Sequence, residues 1–81
     1  MTTSWTRATA AEELNRLSAL VAAAFPGHHA VVEQLRVLSD AARLGVADRG
    51  LMAAGAHEAA RWLPDGDAGG ALRSFARVLD V

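Results

Sequence analysis

The clearest helical signal lies at residues 9–25, which read TAAEELNRLSALVAAAF. Thr9 and Glu12 have the spacing of a capping box, in which each side chain satisfies a free backbone amide at a helix start. Glu12 and Arg16 are also spaced as an i,i+4 ion pair. Pro26 ends the helix, because proline disfavours helical backbone at the preceding residue. Apolar residues recur at helical spacing in between: Leu14, Leu17, Leu20, Val21, Ala24 and Phe25.

A second helix is predicted to begin near residues 28–30 and to end at Leu44. Gly45 suits the position after a helix, where the backbone often becomes left-handed. The stripe predicted to be buried in this helix consists of Val31, Leu35, Leu38 and Ala42.

The region after Gly45 is harder to interpret, because Gly50 and Gly55 each cost about 1 kcal/mol inside a helix. We therefore predict two short helices, one capped by Asp48 over about 48–54 and one over about 56–63. Their shared apolar face comprises Leu51, Met52, Ala56, Ala59, Trp62 and Leu63.

Residues 64–66 read Pro-Asp-Gly and predict a turn. Asp67 would then cap a last helix over Ala68–Asp80, with Arg73 and Arg77 outward and Ala71, Leu72, Phe75, Val78 and Leu79 inward. No segment shows the alternation typical of strands. The sequence thus predicts an all-α, compact bundle of about five short helices, with 1–8 as a flexible N-terminal tail and 9–81 as a single helical domain.

Composition narrows the classes of function. The chain has 81 residues, a net charge of −1, no cysteine and no lysine, and its hydrophobic fraction of 52% suffices for a packed core. Nucleic-acid binding is not expected without a basic stripe, and disulfides and thiolate zinc sites are excluded. No stretch is long enough to span a bilayer, and Glu12 and Glu13 argue against a signal peptide, so we expect a cytoplasmic protein. Arginine without lysine, together with abundant alanine, suggests a bacterial gene.

Catalytic and metal-binding motifs are not evident. His28 and His29 would point about 100° apart on a helix, and His29 with Glu33 supplies only two ligands. His57 is isolated in the sequence. Residues 65–70 begin like a calcium loop, but Gly69 stands where a ligand is needed. We therefore expect no metal, no cofactor and no enzymatic activity.

Two tryptophans are candidates for other roles. Trp62 continues an apolar stripe, which predicts a core position. Trp5 lies in the predicted tail, where it could fold back onto the bundle or serve as an exposed anchor for a partner, since tryptophan is enriched at interface hot spots.

The C-terminal half resembles a caspase-recruitment domain of the death-fold class. The matching segments are 59–63 (AARWL), the polar turn 64–70 and 71–79 (ALRSFARVL), together with Leu44-Gly-Val46 before Asp48 and the break at 24–27. The resemblance extends over Leu14–Leu79. It implies an adaptor that binds like domains by homotypic association, as related bacterial death-like or effector-associated domains do in antiviral defence and signalling.

Candidate interface residues follow from that resemblance. Arg36, Arg43 and Arg49 could form a basic patch, and Asp65 and Asp67 an acidic corner, so the partner would be the protein itself or a homologous helical domain in a homo-oligomer. Two alternatives remain open. One is a small docking subunit, a closed dimer or monomer, that binds a larger enzyme. The other is a tetratricopeptide-like fragment, suggested by Ala59, Gly66, Ala71, Phe75 and Val78, although no 34-residue period recurs.

Overall fold

The computed structural model describes residues 6–80, apart from the side chains of residues 7 and 80. This part of the chain is all-helical and contains no strand, as predicted. It forms four helices rather than about five: α1 (Arg7–Ala24), α2 (His29–Arg43), α3 (Arg49–Arg61) and α4 (Asp67–Asp80).

The first helix begins earlier than predicted, at Arg7, and its cap is Thr6 instead of Thr9. The Thr6 Oγ1 accepts from the Thr9 backbone amide at 3.1 Å, and the Thr6 amide donates to the Thr9 Oγ1 at 2.8 Å. Threonine at the third helical position therefore closes the capping box.

The predicted Glu12–Arg16 ion pair is wrong, because Arg16 binds Glu13 instead. This hydrogen bond raises the pKa of the Arg16 guanidinium. Residues 1–5, which make up most of the predicted tail, lie outside the described residues.

Three helix boundaries agree with the sequence signals. α1 ends at Ala24, just before the Pro26-Gly27 turn, and Gly45 has a φ of 78° after the C-cap of α2. The Asp48 carboxylate caps α3 by accepting from the Leu51 amide at 2.8 Å.

α4 starts one residue before its predicted start, with the Gly70 amide donating to the Gly66 carbonyl at 3.0 Å. Asp67 is thus the first helical residue and not the cap, and its charge complements the helix dipole.

The main correction concerns Gly55, which does not divide the third helical region. α3 runs through it without interruption from Arg49 to Arg61. A Cβ at Gly55 would lie 2.5 Å from the Leu38 Cδ2, so the Leu38 side chain packs directly over the glycine. This packing between α2 and α3 offsets the low helix propensity of glycine.

The helices pair as two hairpins, α1 with α2 and α3 with α4. The buried Ser39 hydroxyl in α2 donates to the Ala11 carbonyl in α1 at 2.7 Å, which joins the end of one helix to the start of the other. The two hairpins meet through narrower interfaces, α2 against α3 and α1 against α4. Their shared core is mainly aliphatic, and its largest fully buried side chains include Leu14, Leu17, Val21, Leu35, Met52 and Leu72.

Some residues predicted to point inward are only partly covered. Leu20 and Val78 remain 36% and 44% exposed on the side where α1 and α4 meet. This interface is narrow, so residues at the edge of each apolar stripe stay in contact with water. Ala24 is exposed at the end of α1, and Leu51 and Trp62 belong to the face described next.

Candidate functional site

The most distinctive surface is an apolar groove between α2 and α3. One part of it is a cavity of about 280 Å³ lined by Gln34, Val37, Leu38, Ala41, Leu51 and Gly55. The other part, about 470 Å³, is lined by Gly27, His28, Ala30, Val31, Gln34 and Trp62. Gln34 borders both parts, so the depression continues along α2, and we call it the α2–α3 groove.

The groove exists because the apolar arc of α3 is wider than the core requires. Met52, Ala56 and Ala59 face inward and are fully buried. Leu51 and Trp62 lie on the neighbouring part of the same arc, where only the narrow contact with α2 could cover them, and they remain 52% and 65% exposed. Leu51 and Trp62 are therefore in contact with water near the two ends of α3, with Glu58 between them on the same face. Exposed apolar patches mark interaction sites more often than isolated exposed residues do.

Trp62 corrects a prediction, since it was expected in the core. It is the C-cap of α3, where the chain leaves the helix, and its indole lies over the groove. The indole Nε1 donates to the Glu58 Oε1 at 3.1 Å, and Arg61 donates to the other carboxylate oxygen at 3.3 Å. The side chain is thus exposed but held in place. A rigid, exposed tryptophan loses little conformational entropy when a partner covers it.

Charged side chains lie on α2 next to Val37, outside the lining of the groove. Glu33 and Asp40 are exposed and lie two helical turns apart, on either side of Val37. Neither forms an ion pair with another described side chain, since the ion pairs between residues 8 and 79 are Arg16–Glu13 and Arg61–Glu58. Arg36 lies between them at i+3 from Glu33 and four residues before Asp40, so this edge of α2 carries charges of both signs.

The predicted basic patch is exposed at Arg36, Arg43 and Arg49. Arg36 and Arg43 share one face of α2, away from the groove, because residues seven apart lie on the same side of a helix. Arg43 is in the last turn of α2 and Arg49 is the first residue of α3, so both lie beside the turn that joins these helices. None of the three pairs with an acidic side chain in the described part of the chain.

The predicted acidic corner lies at the other end of the molecule. Asp65 and Asp67 are exposed in the turn between α3 and α4. α3 has 13 residues, which at 1.5 Å each separates this turn from Arg49 by about 20 Å. The structure therefore does not bring the two predicted patches together. Trp5, the remaining candidate, lies outside the described residues.

Histidine does not build a metal centre here. The His28 ring packs against Phe25 with the ring centroids 5.3 Å apart, and His29 and His57 are exposed. Between residues 6 and 80, no group of three histidine, aspartate or glutamate side chains is placed to hold a metal ion. In the same range no helix has the length and apolar character needed to cross a membrane.

Comparison of the chain with models of protein families, with curated proteins and with solved structures finds no significant match.

Proposed function

We propose that this chain is a protein–protein interaction module that associates with copies of itself, head to tail, as a death-fold-like adaptor does. The observation that carries the proposal is the separation of charge along the molecule. Arg43 and Arg49 lie at one end, Asp65 and Asp67 at the other, and none of them has an ion-pair partner within the described side chains.

Charges placed at opposite ends favour a particular kind of assembly. The basic end of one copy can meet the acidic end of the next, and this heterologous contact leaves a free end on each side, so it propagates. Arg36, two turns before Arg43, adds a positive charge toward the middle of α2, with Asp40 between the two arginines. The net charge of −1 means that copies do not strongly repel one another at neutral pH.

The resemblance to caspase-recruitment domains supports the same reading. The junctions at 24–27 and 44–48, which carry part of that resemblance, are tight turns between helices in the structure. A death-fold-like module in a bacterial defence or signalling protein would act by bringing like domains together, with no chemistry of its own.

Light scattering behind size exclusion, over a range of protein concentrations and at low and high salt, tests the assembly. We expect species larger than a dimer that become smaller as salt screens the charged ends. A monomer or closed dimer that does not respond to salt would refute head-to-tail association and favour the docking-subunit alternative.

Charge reversal tests the ends themselves. Arg43→Glu and Asp65→Arg should each abolish the large species, because two like-charged ends then meet. Mixing the two variants should restore them, since each variant offers the end that the other needs. Arg16→Glu is the matched control, because it makes the same charge change in the middle of α1, away from both charged ends, and should not weaken assembly. If the mixture stays monomeric, the proposed contact is wrong.

A further inference from the structure

We propose that an apolar turn, residues 44–46, anchors the contact between copies by inserting into the cavity beside Trp62 of the next copy. This inference rests on the proposed function, because it names the apolar part of the same head-to-tail contact. Such a part is needed, since ion pairs between solvated side chains contribute little to binding. The charged ends can orient two copies, but burial of apolar surface has to hold them together.

The apolar turn consists of Leu44, Gly45 and Val46, between α2 and α3. Leu44 and Val46 are 79% and 75% exposed, more than any other large hydrophobic residue among the described side chains. Two aliphatic side chains so close together in water gain hydrophobic free energy when a partner covers them. The turn is therefore a candidate anchor at the end of the molecule that carries Arg43 and Arg49.

The backbone of the apolar turn is held in place. The amides of Val46 and Ala47 both donate to the Ala41 carbonyl, at 2.8 and 3.1 Å. Gly45 supplies the positive φ of 78° that this path requires, and Ala47 is fully buried where the chain rejoins the core. The two exposed side chains thus start from a fixed backbone, so that covering them costs little conformational entropy.

The receiving cavity lies at the opposite end of the same chain. It has a volume of about 470 Å³ and is lined by Gly27, His28, Ala30, Val31, Gln34 and Trp62. This volume is within the range of about 300–1,000 Å³ typical of binding pockets, and so it can hold two aliphatic side chains. α2 has 15 residues, which places the cavity at its start about 22 Å from the apolar turn at its end. An apolar projection and a complementary pocket on different parts of one chain make a heterologous contact, which propagates.

The charges near the two surfaces favour a second copy as the occupant. Arg43 directly precedes the apolar turn, and Arg49 follows it as the first residue of α3. At the other end, Asp65 and Asp67 follow Trp62 in the connection to α4. When the apolar turn of one copy occupies the cavity of the next, the arginines approach the aspartates. Each copy therefore carries both halves of the contact, apolar and charged.

Other charges near these surfaces limit how much the ion pairs contribute. Asp48 caps α3, where the helix dipole partly offsets its charge, and Asp40 is exposed in the last turn of α2. Near the cavity, Arg61 and Glu58 pair with each other. The attraction between the ends is therefore modest, which is a second reason why the apolar contact supplies the affinity.

Trp62 reports whether the cavity is covered. Because the chain has two tryptophans, a Trp5→Phe variant leaves Trp62 as the sole indole. Adding Leu44→Asp and Val46→Asp gives a cavity variant, which keeps the cavity but loses the apolar turn. Trp5→Phe with Trp62→Ala gives a turn variant, which keeps the apolar turn and contains no tryptophan. Circular dichroism verifies that both are folded.

Titration of the cavity variant with the turn variant tests the contact. We expect a saturable blue shift of Trp62 emission, because the incoming turn removes water from the indole. The complex should be 1:1 by light scattering, since each variant lacks one half of the contact. A turn variant that also carries Val46→Asp should bind at least about tenfold more weakly. Val37→Asp is the matched control, because it makes the same substitution in the middle of α2, outside the turn and this cavity, and should leave binding unchanged.

The unaltered chain separates failure of this inference from failure of the proposed function. Assembly that is lost in Leu44→Asp/Val46→Asp supports both. Salt-sensitive assembly that persists in this double variant would overturn the apolar anchor and leave association through the charged ends standing. An unaltered chain that remains monomeric would overturn both. A blue shift of the cavity variant that grows with its own concentration would show that another surface covers Trp62, and would also overturn the anchor.

Discussion

Substitution of Gly55 by alanine tests the close packing of α2 and α3. Alanine in place of glycine inside a helix stabilises the folded state by about 1 kcal/mol. Here the new Cβ would meet the Leu38 Cδ2 at 2.5 Å, so this side chain must move, and a displaced rotamer costs about 0.5–1.5 kcal/mol. The two effects are similar in size, and we expect Gly55→Ala to change the free energy of unfolding by less than about 0.5 kcal/mol.

A double-mutant cycle separates the two contributions. All three of the nearest atoms to the added Cβ belong to Leu38, so the clash disappears in a Leu38→Ala background. In that background Gly55→Ala should stabilise the protein by the full difference in helix propensity between alanine and glycine. The coupling energy between the two sites should then be about 1 kcal/mol. Urea denaturation followed by circular dichroism measures each corner of the cycle.

Gly50→Ala is the matched control in the same helix. Its added Cβ would lie 3.5 Å from the Asp48 Oδ1, an ordinary contact that does not involve Leu38. Its effect should therefore be the same in both backgrounds. If Gly55→Ala also has the same effect in both, then Leu38 does not limit the approach of α2 and α3, and our account of the uninterrupted third helix is wrong.

Three further substitutions, one of them with a matched control, test the fold by denaturant unfolding. Thr6→Ala should cost about 1 kcal/mol because it removes the cap of α1, and an unchanged midpoint would contradict the assigned start of that helix. Leu35→Ala should lower the free energy of unfolding by about 2–5 kcal/mol, since Leu35 is fully buried. Leu44→Ala, at a site that is 79% exposed, should lower it by less than about 0.5 kcal/mol. Equal losses in the two variants would contradict the assigned core. Ser39→Ala should cost at most about 1 kcal/mol, because it removes one buried hydrogen bond but introduces a better helix former, and a much larger loss would show that this bond holds α1 against α2.

Local signals predicted the ends of α1 and α2 well, because the determining groups are adjacent in sequence. Pro26 excludes helix at the preceding residue, and Gly45 takes up the left-handed backbone that follows α2. The start of α1 was missed because Thr6 and Thr9 form a capping box with threonine in both positions, while Glu12 offered the more familiar pattern.

The character of α3 depends on a neighbour that is distant in sequence. Gly55 looks like a helix breaker until Leu38 is known to pack over it. Trp62 likewise belongs to an apolar stripe with helical spacing. Periodicity does not show, however, how much of that stripe the neighbouring helix covers. The groove could therefore not have been found from the spacing of residues alone. One partial signal was available, since Leu51, Gly55 and Trp62 widen the apolar arc beyond the positions that became buried.

The sequence identified candidate interface charges one by one but did not predict their arrangement, and their role stays a prediction. Each of the five predicted interface charges is exposed. Their separation to opposite ends follows from the antiparallel course of the helices, which composition does not specify.

The pairing of the helices into two hairpins also has a consequence for how the chain acquires its structure. Most contacts between helices join partners that are neighbours along the chain and are linked by turns as short as residues 25–28 and 62–66. Closing such short loops costs little entropy, so each half can form before the other is present. On a ribosome the α1–α2 half could collapse while the α3–α4 half is still being made. The face of α2 that contacts α3 would then stay exposed to water until α3 has been synthesised, and α3 would cover only part of it.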